Sequence, residues 1–306
     1  MRTRILVVIA AAVAVFVAAC GADEGADSAA GPSIVVTTTV LGDVVEQLVG
    51  DDATVTVIMP RGTDPHGFQP SAQQVAAMTG ADALIANGAG FEEGLVDAVR
   101  AAESDGVPTF EAIRAVSSLT LPDGETVDPH FFTDPDRMAD AAEGIVDFLS
   151  TEVPAFVDLE LASAPAYVDR LRELDLEVED IVAVVPADAR LLVTNHEVLD
   201  YFADRYEFEV VGTVVPGAST NDAVSARDLD SLATTIRSSG VRAIFVETSS
   251  PSQLADTLAA EAGVEVAVVE LFTESLGADG SGGATYVDMV RTNATRIAEA
   301  LGGGAS

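Results

Sequence analysis

The chain reads as an α/β protein of two parallel-sheet lobes bridged by a single long rigid α-helix. Three observations carry that expectation. Short β-branched runs alternate with amphipathic helical stretches from residue 33 onward. The alternation breaks once, at Ala166–Val185, which contains neither Gly nor Pro and spaces Leu171, Leu174, Val178, Ile181 and Val182 as a helix would. Beyond the first thirty-odd residues lie roughly 270 more, which exceeds what one hydrophobic core usually spans.

Each element has its own signal. Ser33–Thr39 (SIVVTTT) is β-branched and predicts a strand; Leu41–Val49 then predicts a helix ended by Gly50. Strand Thr54–Met59 stops at Pro60, and helix Ser71–Thr79, strand Ala83–Ala86, helix Phe91–Ala102 and strand Val107–Ile113 follow. Asp134-Pro135 supplies an N-cap and a proline at the first helical position, so a helix should run from Pro135 to about Ser150. After the bridging helix come strand Arg190–Thr194, helix Glu197–Arg205, strand Phe208–Val215, helix Ala226–Ser238 and strand Ala243–Glu247. Helix Ser252–Ala262, strand Glu265–Leu271 and helix Ala284–Leu301 complete the order. Strands separated by helices in this way form parallel sheets covered on both faces. The expected units are an N-terminal lobe over 33–163, a connecting helix over 164–187 and a C-terminal lobe over 188–303. An unbroken connecting helix resists bending, so wide hinge closure is not expected.

The N-terminus carries an address. Arg2 and Arg4 precede an uncharged apolar run, Ile5–Val17, too short for a membrane span and suited to an export signal over 1–19. Cys20 is the only cysteine, so no intramolecular disulfide forms, and Val17-Ala18-Ala19-Cys20 resembles a bacterial lipobox. That pattern implies lipidation of Cys20 and anchorage to the outer face of the cytoplasmic membrane. Residues 20–32 offer too little apolar surface to offset ordering entropy and read as a flexible tether. The chain has 50 acidic residues against 15 basic ones, none of them lysine, for a net charge of −35. Such a field repels nucleic acid and anionic lipid and concentrates cations, but spread carboxylates do not make a site. Most of the excess fits an acidic surface adapted to salt.

Only three histidines occur: His66 in Asp64-Pro65-His66, His130 in Asp128-Pro129-His130, and His196 in Asn195-His196-Glu197. They stand 64 and 66 positions apart, too far for a local motif, so the fold must assemble any shared site. Each follows a predicted strand, where ligands gather in open α/β sheets, and neutral imidazole is a common zinc ligand. The proline in each Asp-Pro-His restricts the backbone around the ring. A fourth ligand is expected from the second lobe. Glu274, in the loop after Glu265–Leu271, is the favoured carboxylate; Glu247, at the end of Ala243–Glu247, is its competitor and otherwise an acid that orients a ligand. The alternative is a three-histidine zinc hydrolase with an open water position and Glu197, Glu247 or Glu274 as base. Position 200 is Asp, so His196-Glu197 lacks the second histidine of a zincin helix. The Gly-rich stretches Asn87–Gly90 and Gly277–Gly283 lack the phosphate-loop lysine.

The order Cys20, Asp64-Pro65-His66, Asp128-Pro129-His130-Phe131-Phe132-Thr133-Asp134-Pro135, Asn195-His196 and Thr273-Glu274-Ser275-Leu276 resembles the zinc/manganese-binding solute-binding lipoproteins of metal ABC importers. The likeness covers nearly all of residues 33–302, and DPHFFTDP is its most specific part. It implies two lobes bridged by a rigid helix, with metal between them on His66, His130, His196 and Glu274. It further implies delivery of the metal to a membrane permease driven by an ATPase. A monomer is expected, and with a fourth ligand closing the open position no enzymatic activity is expected. Two features depart from the pattern: the last ligand is often Asp rather than the longer Glu274, and Ser117–Val127 lacks the histidine-rich loop of many zinc members. Three imidazoles and one carboxylate suit zinc (Zn2+), whereas manganese (Mn2+) prefers more oxygen.

Overall fold

The computed structural model describes residues 31–122, 124–249 and 253–302. Cys20, the export signal and most of the tether lie outside the described residues. Strands β1 (Ser33–Val36), β2 (Thr54–Val57), β3 (Ala83–Ala86) and β4 (Thr109–Glu111) form one all-parallel sheet in the order β2-β1-β3-β4. Strands β5 (Leu191–Thr194), β6 (Glu209–Thr213), β7 (Ala243–Glu247) and β8 (Ala267–Leu271) form a second in the order β6-β5-β7-β8. The two sheets share one topology. In each, successive connections leave the first strand in opposite directions, which opens a crevice beyond the carboxyl ends of the central pair. Strand β3 (ALIA) is buried at every residue, as a strand covered on both faces must be.

The helices begin where their caps allow. Helix α1 (Thr39–Val49) has Thr38 Oγ1 accepting from the Leu41 amide. Helix α2 (Ala72–Thr79) opens with a reciprocal Ser71/Gln74 capping box. Helix α3 (Val96–Ser104) starts later than the expected Phe91, because the Glu92 carboxylate instead accepts the amides of Asn87 and Gly88 and holds the preceding turn. Strand β4 is shorter than expected: Pro108 precedes it, and Ala112–Ala115 turns into a 3-10 helix. Helix α4 (Pro135–Glu152) starts as read, with Asp134 accepting from the Asp136 and Arg137 amides.

The bridging helix α5 spans Ala164–Val182. It starts two residues before the Gly- and Pro-free stretch Ala166–Val185, since Pro165 fits its first turn, and ends before Pro186, which disfavours helical geometry at Val185. Helices α6 (Asp200–Tyr206), α7 (Ala226–Ser239), α8 (Gln253–Ala262) and α9 (Tyr286–Gly302) complete the fold. No helix among the described residues is long and apolar enough to cross a membrane.

The lobes do not keep separate cores. One continuous apolar cluster runs from Ile34, Val36 and Leu41 through Phe148, Leu171, Leu174 and Val178 to Leu271, Ile297 and Leu301. Helix α5 is its spine, with α1, α4 and α9 packed along it. Smaller clusters lie on the outer faces, around Leu84 and Met78 in the first lobe and Ile244 and Ile236 in the second. Polar links reinforce the shared core. Buried Asp175 of α5 takes the Arg205 guanidinium and accepts from the Tyr206 hydroxyl at 2.9 Å. Tyr286 Oη donates to the Phe132 carbonyl across the lobes at 2.8 Å.

Candidate metal centre

All three histidines and Glu274 enter from loops at the carboxyl ends of strands. His66 follows β2, His130 follows β4, His196 follows β5 and Glu274 follows β8. The two Asp-Pro-His segments fold alike. Asp64 Oδ1 accepts the His66 amide at 2.9 Å, and Asp128 Oδ1 accepts the His130 amide at 3.0 Å. An aspartate bonding the amide two residues on is an Asx turn, and the intervening proline fixes its φ. The repeated tripeptide is therefore a device for aiming a histidine. The proline's restriction is legible in the sequence, whereas the aspartate's hold on the amide is visible only in the fold.

The side chains converge on one atom. Glu274 Oε1 lies 2.8 Å from His66 Nε2, 3.2 Å from His196 Nε2 and 3.4 Å from His130 Nε2. One donor atom from each of the four residues falls within 4.8 Å of the others, and all four residues are buried. Glu274 Oε2 is also buried, with no hydrogen-bond partner among the described residues. A wall of aromatic rings closes the inner side, with Phe91 edge-on to His66 and His130 at 5.2 and 5.5 Å.

Glu247 stands outside this group. Its Oε1 sits 2.6 Å from His196 Nδ1 at the end of β7, the orienting position rather than the shared one. Asp128 does the same for His130, with Oδ1 2.7 Å from Nδ1. Each ring is thereby held with Nε2 facing Glu274, because a carboxylate on Nδ1 fixes the ring's orientation. Asp128 went unremarked in the sequence reading, although the Asp-Pro-His frame contains it.

The loop that carries Glu274 is tied to the first lobe. Gly62 donates its amide to Ser275 Oγ at 2.8 Å, and the Leu276 amide donates to Thr39 Oγ1 at 2.9 Å. The Arg61 guanidinium donates to the carbonyls of Gly277 and Ala284 at 2.9 and 2.7 Å.

Electrostatics follow from this enclosure. Burial alone disfavours a charged His196, but the Glu274 and Glu247 carboxylates overcome it and hold its pKa well above the usual imidazole value. His130 is raised as well: burial opposes its charge, while Asp128 and Glu274 favour it more strongly. Glu274 shows the converse. Burial pushes its pKa up, but the charge of His196 and hydrogen bonds from the three histidines bring it well below the ordinary carboxylate range. Burial and the neighbouring Glu274 charge raise Glu247. Three imidazole nitrogens and a carboxylate, all buried, can enclose a borderline-soft divalent cation.

A family profile described as the periplasmic component A of a zinc-uptake complex (ZnuA) matches residues 34–300. The chain is 29% identical over 291 residues to the manganese-binding lipoprotein MntA of Halalkalibacterium halodurans, covering 94% of this chain and 95% of that protein. It is 30% identical over 276 residues to the zinc-binding protein TroA of Treponema pallidum, covering 88% and 89%. The solved structure of that periplasmic protein superposes with a TM-score of 0.79 at 28% identity, over 89% of this chain and 99% of that one. A zinc-bound deletion mutant of ZnuA gives 0.76 at 25% identity, over 90% and 99%. With the match spanning both lobes and every loop that reaches the four-residue cluster, the chain belongs to the family of periplasmic zinc-uptake components typified by ZnuA.

Proposed function

We propose that the protein captures a divalent transition metal, zinc in preference to manganese, and delivers it to an ABC import permease powered by an ATPase. His66, His130, His196 and Glu274 are the proposed ligands, with Glu247 orienting His196. The observation that carries this reading is the convergence of three buried Nε2 atoms on one carboxylate oxygen. Relatives are named for both metals, so the donor set must decide. Three imidazoles rank zinc above manganese in the general affinity order. The second oxygen of Glu274 is the feature that favours manganese, because bidentate binding would raise the coordination number. Three nitrogens against two oxygens still leave zinc ahead.

A binding role rather than hydrolysis rests on the fourth ligand. Catalytic zinc keeps one position for water, and a Glu274 carboxylate within 3.4 Å of all three Nε2 atoms would take that position. The proposed organisation is an export signal over 1–19, a lipidated Cys20 and tether to 32, lobes over 33–163 and 188–303, and the connecting segment 164–187. Calorimetric titration of demetallated protein tests the metal choice, with a tighter constant expected for zinc; a tighter constant for manganese overturns it. Glu274→Gln should lose metal affinity. A variant that keeps zinc but abolishes a measurable hydrolysis would instead identify an enzyme.

A further inference from the structure

The three histidines are not held equally. His130 and His196 rest their Nδ1 atoms on Asp128 and Glu247, whose side chains are 1% exposed, at 2.7 and 2.6 Å. Among the described residues His66 Nδ1 has no hydrogen-bond partner, and it faces Glu93 Oε1 at 3.4 Å, on a side chain 43% exposed. The outermost ligand therefore leans on a carboxylate at the protein surface.

That carboxylate is gripped by the other lobe. Ser219 Oγ donates to Glu93 Oε1, and Asn221 Nδ2 lies 3.4 Å from Glu93 Oε2. The same short segment reaches the His66 loop twice more. Thr220 Oγ1 donates to Asp64 Oδ2 at 2.6 Å, and Asn221 Nδ2 donates to the His66 carbonyl at 2.9 Å. Asp64 is the residue whose other oxygen caps the His66 amide. Three consecutive side chains thus bind the backbone, the turn and the ring partner of one histidine.

The segment is in turn fastened to the second lobe beside His196. Gly217 accepts the Glu197 amide at 3.0 Å, and the Val215 amide donates to the Asn195 carbonyl at 2.7 Å. Gly217 has φ +109°, and a Cβ there would strike the Asp222 carboxylate, so the turn requires glycine. One end of the segment is anchored next to His196, and the other reaches across to His66.

We infer that residues 217–222 and Glu93 form a clasp between the lobes that positions His66 and sets how fast bound metal escapes. The inference rests on the metal-binding reading above. Glu93 acts through His66 and is a positioning residue, not a ligand. Its exposure makes it the member of the set that water, or a docked partner, can displace without unpacking the shared core. The links on the Glu274 side involve Thr39, Ser275 and the Arg61 guanidinium, and they form a separate set of contacts.

Stopped-flow release of zinc from the loaded full-length protein into excess chelator tests this. Glu93→Ala and Asn221→Ala should each speed release by about 10-fold or more, the size of effect that loss of an outer-shell partner has on affinity. The zinc association rate and the melting temperature of the metal-free protein should stay at parent values, which a merely structural role would not leave untouched. Because Glu93 and Asn221 touch, the double variant should release zinc no more than about twofold faster than the faster single variant. Release at the parent rate in both single variants overturns the clasp, as do fully additive effects. A parent protein that takes up no zinc would overturn the binding reading and the clasp with it; zinc bound normally but released unchanged by the variants removes the clasp alone.

Discussion

Glu274 Oε1 is more than the point on which three Nε2 atoms converge. In the metal-free protein it is the counter-charge that lets buried imidazoles hold protons, which is why the pKa values of His196 and His130 rise while that of Glu274 falls. Metal must displace those protons, so binding competes with them at pH values where an ordinary imidazole, with pKa about 6.5, has already lost its own. Affinity should keep climbing as pH rises past that reference and level off only above the raised values. Calorimetry at neutral pH in buffers of different ionisation enthalpy should show net proton release on zinc binding; no release would contradict the raised values. The stability of the metal-free fold carries the same signature. Protonated His130 and His196 stabilise it fully below the unfolded imidazole pKa, and that contribution is lost as pH rises through the folded values. Glu247→Gln should weaken zinc binding by roughly 10–100-fold, since an amide orients the His196 ring less firmly than a carboxylate. Glu274→Gln changes a proposed ligand and should cost more than that, with equilibrium competition against a chelator as the measurement for both.

Among the elements, α4 and the turn before it show how position is inherited from sequence. Asp134 is 1% exposed; it caps two amides of α4 and pairs with the Arg137 guanidinium at 2.7 Å. Arg137 extends the link to Asp204 of α6 and lies over the Tyr201 ring, and Tyr201 Oη donates to the Asp128 carbonyl. Asp134→Ala should therefore destabilise the fold by about 1–3 kcal/mol, the range for a lost cap together with a lost hydrogen bond to a charged, part-buried group. Chemical denaturation checks the value, and a change within about 0.5 kcal/mol, the scatter of neutral surface changes, would mean the cap is dispensable. This element was legible because caps and prolines act locally: Asp134-Pro135 marks its start without reference to the rest of the chain. The parallel strands were legible for the same reason, as short apolar runs between helices, and the histidines because each follows such a run. The less visible features depend on distant partners. The first sheet loses part of the expected strand Val107–Ile113 to a 3-10 turn, and Phe91–Glu92 stays out of α3 because Glu92 bonds backwards to Asn87 and Gly88. The grip of Ser219 on Glu93 joins residues with no shared pattern, 126 positions apart, and no periodicity announces it. The merging of two expected cores into one along α5 likewise arises only when α1, α4 and α9 meet on the same helix.

At the level of the entire chain, two properties act together: a shared core that couples the lobes, and a net charge of −35 with no lysine. Because α5 buries one face (Val168, Leu171, Leu174, Val178 and Val182) in that core, large separation of the lobes would expose apolar surface, and local opening is the cheaper motion. The charge acts on the same fold in the opposite sense. Self-repulsion among surface carboxylates opposes compaction, and salt relieves it as the screening length falls from about 10 Å at 0.1 M to about 3 Å at 1 M. Salt also weakens the exposed ion pairs, such as Arg172–Glu143 and Arg114–Glu111, but such pairs contribute only about 0–1 kcal/mol each. Repulsion summed over the excess of acids outweighs them, so the melting temperature of the metal-free protein should rise with sodium chloride, most steeply below about 0.5 M where the screening length changes fastest. Metal capture should respond with the contrary sign. The negative field draws divalent cations toward the surface, and screening removes that attraction, so the zinc association rate should fall over the same salt range. Thermal melts and stopped-flow association on one set of samples measure both trends. If the acidic surface governs stability and capture together, the two curves mirror each other. A melting temperature that drops with salt, or an association rate indifferent to it, would show that the charge is distributed too diffusely to act on either.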